Sequence, residues 1–310
     1  MVETCGSIET GNLSETADPG SDSGQATGTG MICAPDYHMH TLMSGDNNAD
    51  PIACCEKALS LGMEEICITD HLELQECSFL KGKMNLRAYH EMIMDLREQF
   101  RGRLRILFGL EFGFYPGCRS ELEIILRDFP MDFMIGSVHY VNDVGVAYAP
   151  ELYPFFETLD SPEQILTPYF DALEEAAKCD LFSVIGHADL IFTHAMVHFR
   201  DLGWGGWAHR VSDVVRALIS AETGLEINTG GLARGFPDTT PEAFFLRAYR
   251  ESGGRILTLG SDSHSPEEIG SMFSSAIEKA VSLGFEKLAI FRRMEPRFIP
   301  MKSVWRSGEC

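Results

Sequence analysis

Five apolar runs of this chain end on histidine and pass directly into helix-like sequence. MICAPDYHMH closes on His38 and His40, EEICITDH on His71, DFMIGSVH on His139, LFSVIGH on His187 and RILTLGSDSH on His264. Strands alternating with helices predict a parallel sheet. Parallel strands wrapped by helices put all their C-terminal ends on one face, so polar residues at those ends meet in space however far apart they are in sequence. Six of the ten histidines fall at such ends.

The strand candidates are 32–38, 65–69, 105–111, 132–137, 182–186, 225–228 and 256–260, with a weaker eighth at 287–291. Helix starts are read at Asp50–Pro51, Ser161–Pro162, Thr240–Pro241 and Ser265–Pro266, each a capping residue before a proline in the first turn. Gly62, Gly224 and Gly284 stand where helices should stop. Seven βα units around a barrel is the economical architecture. Residues 1–30 carry acids and small polar residues but no Lys, Arg or aromatic side chain. Such a segment buries too little apolar surface to offset its ordering entropy, so a disordered tail is expected there and a folded domain over 31–310.

Composition narrows the function. A net charge of −21 argues against nucleic-acid and anionic-membrane partners, which are bound through Lys and Arg. No apolar run approaches the roughly 18 residues of a membrane span. A phosphorylated substrate would meet an unfavourable field that bound cations can overcome. Nine cysteines without paired spacing, and no basic, apolar leader, point to reduced thiols and a cytoplasmic location.

Imidazole nitrogen with carboxylate oxygen is the donor set of a hydrolytic di- or trinuclear metal centre. His38 and His40 are two apart, so on a strand both face one side and can grip one ion. Asp262 and His264 repeat that spacing. Glu111 ends six mostly apolar residues, where an unpaired carboxylate has no structural use and a bridge between metals is a natural role. Asp46, in the loop after the first histidine pair, is a ligand or a cap. Asp70 orients the His71 imidazole or caps the next helix. His139 and His187 follow glycine or small residues that keep the site roomy. His90, His194, His198 and His209 fall outside the pattern.

The ordered set His38-x-His40, Asp46, ITDH, Glu111, SVH, GH and GSDSH resembles the polymerase and histidinol phosphatase (PHP) superfamily, in its stand-alone histidinol-phosphatase-like branch, over roughly residues 34 to 266. The resemblance implies a distorted (β/α)7 TIM-like barrel with a trinuclear site at its C-terminal face. It implies three divalent ions, zinc, manganese or iron. His38, His40, Glu111 and Asp262 would hold the first, and Glu111 would bridge to a second held by His139 and His187. Asp46, His71 and His264 would hold the third, where the hard oxygen of Asp46, in place of a histidine common in relatives, shifts preference away from zinc. The implied reaction is hydrolysis of a small phosphate monoester, histidinol phosphate foremost. A hydroxide between two ions attacks phosphorus, and Asp262 moves a proton.

In EINTGGLARGFPDTTP, Ala233 stands where relatives often carry an arginine and Arg234 follows it. Arg234 is either the substrate-phosphate anchor or a surface arginine at a helix end. The aromatic stretch 191–210 is read as a lid or substrate wall ahead of loop packing. The alternatives are a PHP phosphoesterase on a nucleotide or other ester, and an amidohydrolase-type enzyme. The latter often bridges its metals with a strand-end lysine, and here Glu111 takes that position. A non-catalytic binding protein would be expected to have lost ligands, and all nine are present.

Overall fold

A computed structural model describes residues 32–147 and 149–305. The tail expected over 1–30 lies outside the described residues. The elements in chain order are β1 (Ile32–Cys33), α1 (Pro51–Ser60), β2 (Glu65–Ile68), β3 (His71–Leu72), α2 (Leu86–Gln99), β4 (Arg105–Gly113), α3 (Arg119–Asp128) and β5 (Phe133–Ser137). There follow β6 (Tyr140–Val141), β7 (Val144–Gly145), α4 (Ala149–Phe156), α5 (Glu163–Lys178), β8 (Val184–Ile185), α6 (Leu190–His198), α7 (Ala208–Ser220) and β9 (Gly224–Asn228). The chain continues through α8 (Gly230–Ala233), α9 (Ala243–Glu251), β10 (Leu257–Gly260), α10 (Phe273–Ser282), β11 (Lys287–Arg292), β12 (Glu295–Pro300) and β13 (Val304–Trp305).

This is an α/β fold. One parallel sheet runs β10-β9-β8-β5-β4-β2, with β3 also on β4, and it curls as a TIM-like barrel does. Between its two edges lies the segment 36–40. Asp36 bridges in parallel to Ile66, and Met39 to Ser263. Cys67 N donates to Asp36 O at 2.8 Å on one side, and Asp262 N to His38 O at 2.8 Å on the other. The strand expected over 32–38 is therefore broken: residues 32–33 pair instead with 304–305, and Pro35, which has no N–H and restricts its predecessor, separates the two parts.

Helices cover the outer face. Helix α5 presents Ile165, Leu166, Tyr169, Phe170, Leu173 and Ala176, all buried, at helical spacing toward the core. Each such large apolar side chain contributes about 1.5–3 kcal/mol on burial. A second cluster of Tyr37, Cys67, Leu107, Phe133, Ile135 and Val184 fills the inner face, closed by Ala289 and Phe291. Those two come from the expected eighth strand, which is not part of the parallel sheet. It forms an antiparallel hairpin, β11 on β12, because Arg293 and Met294 both adopt positive φ (53° and 68°), the two-residue turn that reverses the chain.

Local signals fared unevenly. Asp50 caps α1, accepting from Ile52 N and Ala53 N, and Gly62 (φ +76°) and Gly284 (φ +87°) follow helix ends in the left-handed conformation. Gly224 instead opens β9, and Glu222 (φ +54°) takes the left-handed position after α7. Thr240 bridges antiparallel to Asn228, so α9 starts only at Ala243. Ser265–Pro266 opens a single short turn over 266–268, and α10 begins at Phe273. Among the described residues no helix is long and apolar enough to cross a membrane.

Candidate metal centre

Glu111 stands near the C-terminal end of β4. Strand alternation turns its side chain to the opposite face from the buried Leu110 and Phe112, and its register neighbours are His71 on β3 and Ile135 on β5. The carboxyl group is fully buried. Oε1 lies 3.2 Å from His139 Nε2 and 3.0 Å from His187 Nε2. Oε2 lies 2.8 Å from His71 Nδ1, 3.2 Å from His38 Nε2 and 3.5 Å from His40 Nε2. Asp262 Oδ1 approaches His40 Nε2 at 3.3 Å and His38 Nε2 at 3.7 Å. Asp46 Oδ2 lies 3.1 Å from His264 Nε2 and 3.4 Å from His71 Nε2. The nine candidate ligands thus gather at one end of the sheet.

Their donor atoms fit cations. Metal–ligand bonds of about 2.0–2.2 Å place neighbouring donors roughly 3.0–3.4 Å apart, which is the spacing found. His38 Nε2 and His40 Nε2 are 3.1 Å from each other. His71 Nδ1 lies 2.8 Å from Glu111 Oε2, and both atoms are buried. Imidazole nitrogens clustered with carboxylate oxygens at this spacing are the donor set a cation site requires. Among the described residues four overlapping groups of donors converge within 4.8 Å: His38–His40–Asp262, Glu111–His139–His187, His40–His71–His264 and His71–Glu73–His139.

The charges interlock. Burial alone would raise the Glu111 carboxyl, but the imidazoles of His38, His71 and His139 outweigh it and hold the group well below the usual carboxylate range. Asp262 is likewise held well below that range against its burial, by His38, His40 and His264. Burial works against a charged His139, yet Glu111 and Glu73 raise it to about 9. His40, facing His71 and His264, is lowered by burial first and by those neighbours next, to about 3. Two site residues also carry backbone strain: His187 at φ +25° and Asp262 at φ +53°.

Sequence reasoning missed the groups behind the candidate ligands. His38 Nδ1 is 2.6 Å from Glu226 Oε1, and His139 Nδ1 is 2.5 Å from Glu73 Oε1. His40 Nδ1 is 3.0 Å from Ser44 Oγ, which donates to Asp70 Oδ1 at 2.7 Å. Fixing a proton on each outer nitrogen leaves Nε2 with its lone pair toward the centre. Asp70 therefore acts on His40 through Ser44, besides accepting from the Thr41 backbone and hydroxyl. The signal was in the sequence: Glu73 lies two residues past His71, and Glu226 interrupts an apolar strand as Glu111 does.

A cavity of about 570 Å³ opens above this floor. Arg234, just after α8 and half exposed, lines it and places Nη2 3.4 Å from Asp262 Oδ2. Leu80, Tyr140, Pro150, Leu190 and Phe236 form an apolar wall. His194, set aside from the sequence, also lines the wall, with Nδ1 3.0 Å from the Tyr153 hydroxyl. Of the stretch 191–210, expected as a lid or substrate wall, His194 lines the cavity, whereas its two tryptophans pack on other aromatic rings. Trp204 stacks on Phe192 at 3.8 Å and on Phe244 at 5.2 Å, and Trp207 stacks on Phe170 at 5.5 Å.

The PHP domain model matches residues 36–230, and the chain belongs to the PHP domain family. It is 30% identical over 271 residues to a probable histidinol-phosphatase of Deinococcus radiodurans, covering 84% of this chain and 98% of that one. It is 29% identical over 266 residues to the histidinol-phosphatase of Lactococcus lactis subsp. lactis, covering 84% and 95%. The crystal structure of a Lactococcus lactis histidinol phosphate phosphatase complexed with zinc, L-histidinol and phosphate superposes with a TM-score of 0.74 at 26% identity, covering 86% of this chain and 99% of that one. A putative histidinol phosphatase from Listeria monocytogenes shares the fold, with a TM-score of 0.69 at 18% identity over 78% and 99%.

Proposed function

We propose that this chain is a metal-dependent phosphomonoesterase of the histidinol-phosphatase type, working on a distorted (β/α)7 barrel over residues 31–310. Three divalent cations would be held by His38, His40, Asp46, His71, Glu111, His139, His187, Asp262 and His264. The observation that carries the reading is Glu111, one buried carboxylate with two imidazoles against one oxygen and three against the other. The Lactococcus lactis complex with zinc, L-histidinol and phosphate supports the substrate class. A cytoplasmic location fits the cysteines of the described residues, all free.

Bound there, divalent cations supply Lewis acidity toward phosphoryl oxygens and lower the pKa of a coordinated water. The chain's residues do the rest. Glu111 holds two ligand groups at fixed separation. Arg234 presents its guanidinium fork to the phosphate at the cavity mouth. Asp262, with Oδ1 toward His38 and His40 and Oδ2 toward Arg234, accepts the proton released by the attacking water. The apolar wall takes the leaving alcohol and excludes bulk water, and His194 offers it one neutral polar contact.

The test is to purify the protein with its metals, measure metal content and assay histidinol phosphate beside nucleoside monophosphates and other small monoesters. Histidinol phosphate should be hydrolysed fastest. Chelation should abolish turnover, and manganese, zinc or iron should restore it. Turnover surviving complete metal removal would overturn the proposal.

A further inference from the structure

Glu226 is fully enclosed in β9 between the core residues Leu225 and Ile227, where a carboxylate is costly unless every oxygen is partnered. Its partners come from separate parts of the site. Oε1 lies 2.6 Å from His38 Nδ1, in the His38–His40–Asp262 group. Oε2 accepts from the backbone N–H of His187 at 2.9 Å, the residue whose ring joins the Glu111–His139–His187 group. The same oxygen accepts from Asn228 Nδ2 at 3.3 Å, and Asn228 Oδ1 accepts from Gly230 N at 2.9 Å. Gly230 opens the turn that carries Arg234, whose N–H donates to Gly230 O at 3.0 Å. The neighbouring strand makes room: a Cβ at Gly260 would stand 2.1 Å from Glu226 Oε1 and 2.4 Å from His38 Cβ.

We infer that Glu226 is a positioning residue that ties two ligand groups of the metal centre, and the Arg234 turn, into one unit. The inference rests on the metal-centre reading above. It fixes the His38 tautomer with the side chain and the His187 backbone with the other oxygen, so neither ligand settles without the other. His187 needs such a tie because its backbone holds a left-handed conformation at φ +25°. Removing the carboxylate should therefore weaken more than one cation, whereas a brace on a single imidazole would weaken one.

The experiment strips the full-length protein with chelator and titrates it with Zn²⁺ against a competing chelator, giving the number of ions and their stepwise affinities. Glu226→Gln keeps the shape but has one acceptor and one donor, so a donor must now face either His38 Nδ1 or His187 N–H. The expected result is a loss on the order of 10- to 100-fold in affinity for at least two ions, with circular dichroism unchanged. Glu226→Asp, which restores the charge without the reach, should recover part of the loss. It takes the place of Glu226→Gln, with the same two-ion expectation against wild type, if the glutamine variant does not fold. Wild-type affinities in the variant, or a loss confined to one ion, would overturn the inference. A wild-type protein that binds no Zn²⁺ would instead overturn the metal-centre reading, so the two failures are distinguishable.

Discussion

At the N-terminal end of the parallel sheet Cys67, Leu107, Phe133 and Val184 meet Tyr37 and Phe291 in an apolar cluster. A few residues further along the chain in each case, on β4 or just past β2, β5 and β8, stand Glu111, His71, His139 and His187. The first end gains from burial. The second concentrates buried charge, unpartnered polar atoms and left-handed backbone, each of which costs free energy. Separating the two along the strand lets the apolar end offset the strain of the reactive end. Stability and chemistry should then respond to different mutations.

The largest expected effect probes the apolar end. Phe133 packs edge-on to Tyr37 at 4.9 Å and against Phe291 at 5.0 Å. Phe133→Ala should lower unfolding free energy by about 3–5 kcal/mol in urea denaturation, with metal content and turnover per folded molecule near wild type. Turnover that collapsed while stability held would show that the two ends are not separable.

Glu111→Gln probes the other end. Turnover should fall on the order of 10²-fold or more, because both ligand groups lose a shared anion. Circular dichroism should stay as in wild type. Near-normal turnover would remove Glu111 from the chemistry, and an unfolded variant would show that the reactive end also carries the fold.

The same division explains what was legible in the sequence. Candidate ligands at strand ends were readable because an apolar run that ends on His or Glu departs from the composition of its own strand. Glu226 and Glu73 were not read, since their roles depend on which imidazole stands opposite, a fact of register between strands. The weaker eighth strand expected over 287–291 forms as β11, but its antiparallel pairing with β12 was not readable. Its direction is decided by two positive-φ residues, Arg293 and Met294, that carry no glycine signal. Gly224 misled for the converse reason: it is needed in β9, where a Cβ would stand 2.4 Å from the Ile256 side chain, and not at the end of a helix.

A smaller effect is expected at the cavity mouth. Arg234→Ala should raise the Michaelis constant for a phosphate monoester about 10- to 150-fold, the value of one charge-assisted contact of roughly 1.5–3 kcal/mol. Turnover should fall less, and metal content should not change. An unchanged Michaelis constant would mean that Arg234 is only a partner of Asp262, and that phosphate is held without it.

The smallest effect is a pH dependence that distinguishes the cavity wall from its metal-binding floor. Burial first, and the Arg234 charge second, lower the His194 imidazole to about 4, against about 6.5 in an unfolded chain. Between those values the unfolded chain binds a proton that the folded one does not. Stability owed to His194 is therefore fully present above pH 6.5 and is lost as pH falls toward 4. His139 runs the other way in the metal-free protein: raised to about 9, its contribution is full below pH 6.5 and lost as pH rises through 9. Denaturation of metal-free wild type and His194→Gln at pH 7 and pH 5 isolates the wall. The variant should lose less stability on acidification than wild type, by on the order of 1 kcal/mol. Equal losses would mean that His194 titrates as a solvated histidine, and the leaving-group wall would then carry a charge at the lower pH.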